Sequence, residues 1–346
     1  MVSRMDFAPL REAARAAVAP DAWAFFQGTA DGRSDPERDA RAWERWDLVP
    51  RIMTGLTAID TSVELGGHRF ASPVVIAATA AQGACRDEGE RLTIAAAGRA
   101  GVLMTYSHNA SVGVEQFAAV ATSPWWAQIY VQRDRGATAD YMARCADLGA
   151  AAFVLTLDVP GTLADASFRR APLTGAVAIR GNVGPTGGGS GSAAESAITP
   201  EVVASIVQES RLPVWAKGVM APADALTALD AGVAGIIVSN HGRRQLGGVA
   251  PVAGVLPEIT DAVAGRAPVL VDGGIRSGID VVRAIALGAS AVGIGRPVLW
   301  ALAAGGQAQL EVVLQALTEE VATALAGLGA ARLGDVTLDM VRPAID

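Results

Sequence analysis

The chain has 346 residues, 51% of them hydrophobic and 18% charged, and its 28 basic and 35 acidic residues give a net charge of −7. This acidic balance, without a basic tract, argues against nucleic-acid binding, which usually needs a clustered positive surface. The two cysteines, Cys85 and Cys145, show no disulfide or metal-ligand spacing, so we expect no metal site and a reducing compartment.

Residues 1–50 are predicted to form a helical prelude. The opening "MVSRMDFAPLREAARAAVAP" has an amphipathic helical pattern that charges interrupt, so it lacks the apolar core of a signal peptide. No part of the chain approaches the roughly 20 consecutive apolar residues that span a bilayer. We therefore expect a cytoplasmic protein that does not bind membranes.

Eight short apolar runs alternate with amphipathic helical patterns over the rest of the chain. The runs lie at 73–78, 101–105, 125–131, 151–158, 212–218, 234–240, 267–274 and 290–295. Buried runs that are each followed by a helix predict a parallel sheet. Eight regular units favour an α/β fold of the (β/α)8 TIM-barrel type over a doubly wound sheet. We expect a single domain over 1–346, with the barrel in 51–346.

The longest interruption lies after the fourth predicted strand, at 159–198. Its centre, "GNVGPTGGGSGS", is rich in Gly and Ser and does not order easily by itself. A loop of this kind on the catalytic face of a barrel is predicted to act as a mobile lid, with plain disorder as the alternative.

Polar side chains collect at the C-terminal ends of the predicted strands, where barrel enzymes build their active sites. An apolar core disfavours such groups, because burying them without partners costs a few kcal/mol each. The sequence therefore predicts one polar ring. Its members are Thr79, Gln82, Ser107, His108, Asn109, Gln128, Tyr130, Thr156, Asp158, Lys217, Ser239, His241, Arg244, Asp272, Arg276, Gly295 and Arg296.

The last two strand ends, "VDGGIRSG" and "GIGRP", predict a phosphate site. Backbone N–H groups at the glycines of these turns can approach a phosphate closely, and Arg296 can add a bidentate charge-assisted contact. No GxGxxG sequence opens a helix at the required spacing, so a Rossmann nicotinamide site is not indicated.

Lys217 is the only lysine among the 28 basic residues. A fixed cation near a phosphate site suits a flavin, whose reduced ring becomes anionic near N1 and O2. The alternatives are a sugar-phosphate substrate, a Schiff-base aldolase that uses Lys217, and an ordinary surface lysine.

The segment "SNHGRRQ" (239–245) resembles the active-site motif S-N-H-G-x-R-Q of the FMN-dependent 2-hydroxy acid oxidases and dehydrogenases, which include glycolate oxidase, lactate oxidase and mandelate dehydrogenase. "ATAAQ" (78–82) is similar to the family's P-T-A-x-Q flavin loop, with Ala78 in place of proline. "QIYV", "TLDVP", "KGV", "DGGIRSG" and "GRPV" follow in family order, and the resemblance extends from about Phe25 to the C-terminus.

The resemblance implies a barrel that binds FMN and oxidises a 2-hydroxy acid to a 2-oxo product. His241 would be the base, Asp158 would stabilise its imidazolium, Arg244 would bind the substrate carboxylate, and Tyr130 would contact that carboxylate or the developing alkoxide. The implied FMN-binding residues are Ala78, Thr79, Ala80, Ser107, Gln128, Thr156, Lys217, Ser239, Asp272, Gly273, Gly274, Arg276, Gly295 and Arg296. Oxygen or a soluble carrier would accept the electrons, and the family resemblance suggests a homotetramer.

Three further positions, all expected near the substrate, depart from the family pattern. Phe25 stands where a tyrosine usually contacts the carboxylate, Ala164 where a second arginine usually binds it, and Asn109 where an aromatic residue is frequent. Arg169 or Arg170 could replace the missing arginine only if the loop is rebuilt. We therefore expect an atypical substrate that is larger, has a masked carboxyl group, or is a biosynthetic intermediate.

No catalytic role is predicted for the remaining arginine and histidine side chains near these motifs. Arg243 is predicted to be a surface residue, His68 to lie in a turn, and His108 to edge the substrate pocket. The competing functions are a non-redox FMN isomerase, such as isopentenyl diphosphate isomerase, and a flavoprotein that acts mainly as a scaffold.

Overall fold

The computed structural model describes residues 5–32, 34–35, 37–159, 182 and 198–345. Most of the predicted lid at 159–198 lies outside these ranges. Ala164, Arg169 and Arg170 are also outside them, so the prediction of a lost carboxylate-binding arginine is not tested by the fold.

Helices and strands alternate as the sequence predicts. The helices are α1 Phe7–Ala17, α2 Pro20–Gln27, α3 Arg38–Trp43, α4 Gly89–Ala100, α5 Val114–Ala118, α6 Arg135–Asp147, α7 Pro200–Glu209, α8 Pro222–Asp230, α9 Val252–Val263, α10 Gly278–Ala286 and α11 Arg296–Leu328, with a break in α11 at Gly306. The strands are β1 Trp46–Leu48, β2 Val63–Leu65, β3 His68–Phe70, β4 Val74–Ile76, β5 Met104–Tyr106, β6 Trp125–Ile129, β7 Ala150–Thr156, β8 Val214–Val219, β9 Gly235–Ser239, β10 Val269–Asp272, β11 Ala291–Ile294 and β12 Val341–Pro343.

Strands β4 to β11 form a closed barrel in which β11 pairs with β4. All neighbouring strands in the barrel are parallel, and the register sets Thr156 on β7 beside Lys217 on β8. Every residue of β9 is buried, as expected for a strand that is covered on both faces. The predicted (β/α)8 barrel is confirmed.

The hairpin of β2 and β3 closes the N-terminal end of the barrel. Leu65 and Phe70 pack there against the inward-facing start of the barrel strands, including Trp126 and Trp215. The two indole rings lie 4.6 Å apart at 33°, close to a stacked arrangement. This end is therefore filled, and the opposite end remains available for a site.

The N-terminal segment reaches the open end of the barrel through α3. Trp43 Nε1 donates to the carbonyl of Gly273 at 2.9 Å. A Cβ on Gly274 would lie 2.3 Å from the carbonyl carbon of Asp39, so α3 can pack on this turn only because residue 274 is glycine.

Two predictions about this part of the chain need correction. The prelude is not helical throughout, because it ends in β1, which pairs antiparallel with β12 near the C-terminus. His68 does not lie in a turn but begins β3, directly after the hairpin turn, and it is exposed. No helix among the described residues is long and apolar enough to cross a membrane.

Candidate active site

A cavity of about 360 Å³ opens at the C-terminal ends of the barrel strands. Most of the residues predicted for the site lie on its wall. These are Phe25, Ala78, Thr79, Ala80, Ser107, Asn109, Gln128, Tyr130, Thr156, Lys217, His241, Arg244, Asp272, Gly273, Gly274, Arg276, Gly295 and Arg296.

Asp158, Ser239 and His108 are not part of this wall. Asp158 and Ser239 lie behind it and bond to residues that do line it. The ring of His108 packs against Tyr141, with centroids 4.2 Å apart, and lies 6.1 Å from the ring of Tyr130. The geometry therefore does not support the prediction that His108 binds substrate.

His241 and Asp158 form a hydrogen-bonded pair. Nδ1 of His241 lies 2.9 Å from Oδ1 and 3.2 Å from Oδ2 of Asp158. Burial alone would raise the pKa of Asp158, but the charge of His241, its hydrogen bond and the charge of Lys217 lower it below the ordinary value. An ionised Asp158 accepts the Nδ1 proton, which leaves the other ring nitrogen of His241 as the basic one.

Lys217 is held by a second polar pair. Its Nζ donates to Ser239 Oγ at 2.9 Å and lies 3.5 Å from Asp272 Oδ2. Burial lowers the pKa of Lys217, but Asp272 and Asp158 outweigh that effect and raise it. The ammonium therefore stays charged on the cavity wall.

Neutral polar side chains line the part of the cavity wall formed by the ends of β4 to β7. Gln128 Oε1 accepts from the backbone N–H of His108 at 3.0 Å, and its Nε2 donates to Thr156 Oγ1 at 3.0 Å. Gln82 Nε2 donates to Thr79 Oγ1 at 2.8 Å. These bonds fix the side chains before any ligand binds.

One end of the cavity is strongly cationic. Arg276 and Arg296 both line it, beside the first turn of α11, and no side chain among the described residues caps the start of that helix. Burial, followed by repulsion from Arg276, lowers the pKa of Arg296 to about 10. Glu37 offsets part of this charge through two bonds to Arg276, of 3.2 and 3.3 Å.

These groups fit a phosphorylated flavin. An uncapped helix start beside two repelling guanidinium groups suits a phosphate. The neutral donors and acceptors and the charged Lys217 suit the polar edge of a ring that becomes anionic on reduction. Thr79, Ser107, Gln128, Thr156 and Lys217 would hold the ring of FMN, and Arg276, Arg296 and the glycine turns its phosphate.

Arg244 also lines the cavity, beside the C-terminal end of α2 and close to Arg296, since both side chains bond the carbonyl of Phe26. Nη1 of Arg244 donates to the carbonyl of Phe25 and lies 3.4 Å from those of Phe26 and Gly28. Its guanidinium carbon also lies 4.8 Å from the centroid of the Phe25 ring. Arg244 is therefore anchored to the end of α2 as well as to the cavity wall.

Arg243 was predicted to be a surface residue, and this prediction is wrong. The side chain is completely buried, and its Nε donates to Asp39 Oδ2 at 3.0 Å. Asp39 itself lines the cavity and was missed. The sequence carried one signal, an arginine at the variable position of the motif, but nothing local indicated which carboxylate it would meet.

Comparison with known proteins identifies the family. Residues 14–343 match the FMN-dependent dehydrogenase family. The chain is 39% identical to 4-hydroxymandelate oxidase of Amycolatopsis orientalis, over 97% of this chain and 99% of the relative. It is 33% identical to 2-hydroxyacid oxidase 1 of Mus musculus, over 95% and 94% of the two chains.

Solved structures show the same likeness over the whole fold. A mandelate oxidase mutant with (S)-mandelic acid superposes with a TM-score of 0.90 at 37% identity, covering 99% of this chain and 100% of that one. Another structure of mandelate oxidase contains an FMN adduct. The chain therefore belongs to the FMN-dependent dehydrogenase family, and it is an FMN-dependent oxidoreductase that acts on a 2-hydroxy acid or a derivative of one.

Proposed function

We propose that the preferred substrate is a 2-hydroxy acid derivative with a neutral carbonyl group, such as an ester or an amide. The observation that carries this proposal is the position of Arg244, whose guanidinium bonds backbone carbonyls at the C-terminal end of α2. The neighbouring aromatic side chain, Phe25, has no hydroxyl to offer a carboxylate. A free carboxylate loses a charge-assisted contact here, while a neutral carbonyl loses less.

Two solved structures of mandelate oxidase variants support the proposal by analogy. A mandelate oxidase variant in which an arginine is replaced by leucine was solved with 2-hydroxy-phenylacetamide. A second variant of the same enzyme was solved with 4-Br-2-hydroxy-methylphenylacetate. The first ligand name denotes an amide, so a neutral derivative can occupy this fold when an arginine is missing.

The proposed chemistry assigns a separate task to each polar side chain. His241 removes a proton from the substrate through the ring nitrogen that does not face Asp158, and Asp158 then stabilises the imidazolium. Lys217 offsets negative charge that develops beside it, and the Tyr130 hydroxyl hydrogen-bonds to the substrate oxygen. Bound FMN supplies the acceptor for the hydride equivalent.

An anaerobic comparison of mandelate, methyl mandelate and mandelamide tests the substrate proposal. We expect the neutral derivatives to bleach the flavin absorbance of the purified holoenzyme with a higher second-order rate constant than the free acid. Faster reduction by mandelate than by both neutral compounds would contradict the proposal.

The variant Phe25→Tyr provides a matched control for this comparison. Adding one hydroxyl beside Arg244 should raise kcat/KM for mandelate by about 10- to 150-fold, since a hydrogen bond to a charged group contributes about 1.5–3 kcal/mol. The value for methyl mandelate should change less than twofold. An equal gain in kcat/KM for acid and ester would show that the hydroxyl does not distinguish a charged carboxylate from a neutral ester.

We also propose that oxygen or a soluble carrier reoxidises the cofactor in a cytoplasmic homotetramer built from single-domain protomers. The strongly exposed apolar side chains of Ile52 and Met53, 77% and 94% accessible, favour an interface at this part of the surface. Light scattering on the holoenzyme, with oxygen consumption measured in parallel, tests both points. A monomer at working concentration would exclude the tetramer.

A further inference from the structure

Asp39 holds both sides of the segment that carries the base. Its Oδ1 accepts from Asn240 Nδ2 at 2.8 Å, and its Oδ2 accepts from Arg243 Nε at 3.0 Å. Asn240 directly precedes His241, and Arg243 directly precedes Arg244. A single carboxylate on α3 thus fixes the residues next to the base and next to the substrate-binding arginine.

The backbone between these two anchors needs external support. His241, Gly242 and Arg243 all have positive φ, at 54°, 60° and 64°. Residues other than glycine disfavour this left-handed region. Three consecutive residues with positive φ persist only where surrounding contacts impose that conformation. The backbone N–H of Ala30 also donates to the carbonyl of Arg243, and Arg296 Nη2 donates to that of Gly242, both at 2.8 Å.

Stability alone does not explain the buried ion pair of Asp39 and Arg243. Arg243 is completely buried and Asp39 is 2% exposed, while Nη1 and Nη2 of Arg243 have no hydrogen-bond partner among the described residues. Burying an ion pair gains little over an apolar contact, and unsatisfied buried donors add a cost. A well-attested reason to keep such a pair is that it fixes one geometry.

We propose that Asp39 and Arg243 are positioning residues that hold His241 and Arg244 in their reactive arrangement. We call Asp39, Asn240 and Arg243 the loop staple. It touches neither reacting group itself and acts through the backbone of 240–244. This inference rests on the proposed role of His241 as the base.

Single and double variants of the loop staple test the proposal. Asp39→Asn leaves the buried guanidinium without an anion, and Arg243→Ala leaves the buried carboxylate without a cation. Since a displacement of about 1 Å can cost about 100-fold in rate, each should slow flavin reduction at saturating substrate and FMN by about 10- to 100-fold. The double variant carries no unpaired buried charge, and the amide introduced by Asp39→Asn keeps an oxygen that can accept from Asn240. It should therefore be at least about threefold faster than either single variant.

The pH profile of flavin reduction separates positioning from general destabilisation. If the loop staple keeps His241 against Asp158, its loss weakens the support of the imidazolium by that carboxylate. The apparent pKa of the reduction step should then fall by about 0.5–1 unit in both single variants. Thr260→Val is the matched control, because Thr260 bonds backbone carbonyls of α9 and Leu287, away from the loop. It should lower Tm without moving the rate or the pH profile.

The variant His241→Asn distinguishes the two ways in which the proposal can fail. If His241→Asn stops reduction while Asp39→Asn and Arg243→Ala stay within threefold of the parent, the positioning role is wrong and the base role stands. If His241→Asn reduces the flavin at the parent rate, both roles are wrong. Slowing by Thr260→Val equal to that by Asp39→Asn would also overturn the inference.

Discussion

At the scale of single residues, Arg243 and Arg244 are adjacent in sequence but lie in different environments. Arg243 is buried against Asp39, whereas Arg244 reaches the cavity wall. Local sequence does not distinguish two adjacent arginines, because the left-handed backbone of 241–243 decides which way each side chain points. Most of the residues that line the cavity were predictable, but Asp39 and the direction of Arg243 were not.

His108 provides a prediction at the same scale. Burial lowers its pKa from 6.5 to about 4, and its Nδ1 has no partner among the described residues. The unfolded chain therefore binds the proton more readily than the folded one between about pH 6.5 and 4, and stability falls as the pH falls through this window. The loss is at most about 3 kcal/mol.

His108→Phe should remove most of this loss of stability at low pH. A phenyl ring can keep the contact with Tyr141 and has no titratable group. Urea unfolding at about pH 7.5 and about pH 5 should show a loss about 2 kcal/mol smaller than in the parent protein. His68→Gln controls for the loss of an exposed imidazole. Parallel pH dependence in parent and His108→Phe would contradict the prediction.

At the scale of elements, the strands are shorter than the apolar runs that predicted them. The run at 125–131 yields β6 Trp125–Ile129, and the run at 101–105 yields β5 Met104–Tyr106. Pairing ends where the chain turns away at the mouth of the barrel, and hydrophobicity does not mark that point. The same turning delivers Tyr130 and Ser107 to the cavity.

Glu90 joins two of these turns. Its Oε1 accepts from the backbone N–H groups of Gln82 and Ser111, at 3.0 and 2.9 Å. Gln82 in turn holds Thr79, which lines the cavity. Burial raises the pKa of Glu90 above the ordinary 4.5, although the N–H donors oppose this.

We expect the stability that neutral Glu90 contributes to be complete below about pH 4.5 and to be lost as the pH rises through its folded-state pKa. Glu90→Gln keeps the acceptor and cannot ionise, so it should lack this loss. Glu90→Ala leaves two buried N–H groups unsatisfied and should cost about 2–5 kcal/mol. Thermal melts at about pH 5 and about pH 8 with saturating FMN measure both. Equal pH slopes for the parent and Glu90→Gln would refute the assignment.

At the scale of the whole molecule, apolar packing fills one end of the barrel and the cavity occupies the other. The β2–β3 hairpin closes the N-terminal end with Leu65 and Phe70, and the cavity occupies the C-terminal end. A substitution at the N-terminal end should therefore change stability without changing FMN affinity or the rate of flavin reduction.

Phe70→Ala should therefore destabilise the protein by about 3–5 kcal/mol, the usual cost of removing a buried phenyl ring. FMN affinity and the rate of flavin reduction should stay within about twofold of the parent below the unfolding transition. Arg69→Ala, at the exposed neighbouring position, is the control and should change stability by less than about 1 kcal/mol. A large loss of FMN affinity in Phe70→Ala would show that the two ends are coupled.

The sequence predicted the barrel from its strand pattern, FMN from the resemblance of its motifs to a known family, and most of the residues that line the cavity. Strand period, strand count and strand-end chemistry are local properties, and they placed Lys217, His241 and Arg296 correctly on or beside one cavity. The tertiary structure alone decided the partners that act across long separations, above all Asp39 with Arg243, 204 positions apart. A buried charge takes whichever opposite charge the packing brings within reach, and no local pattern along the chain encodes that choice.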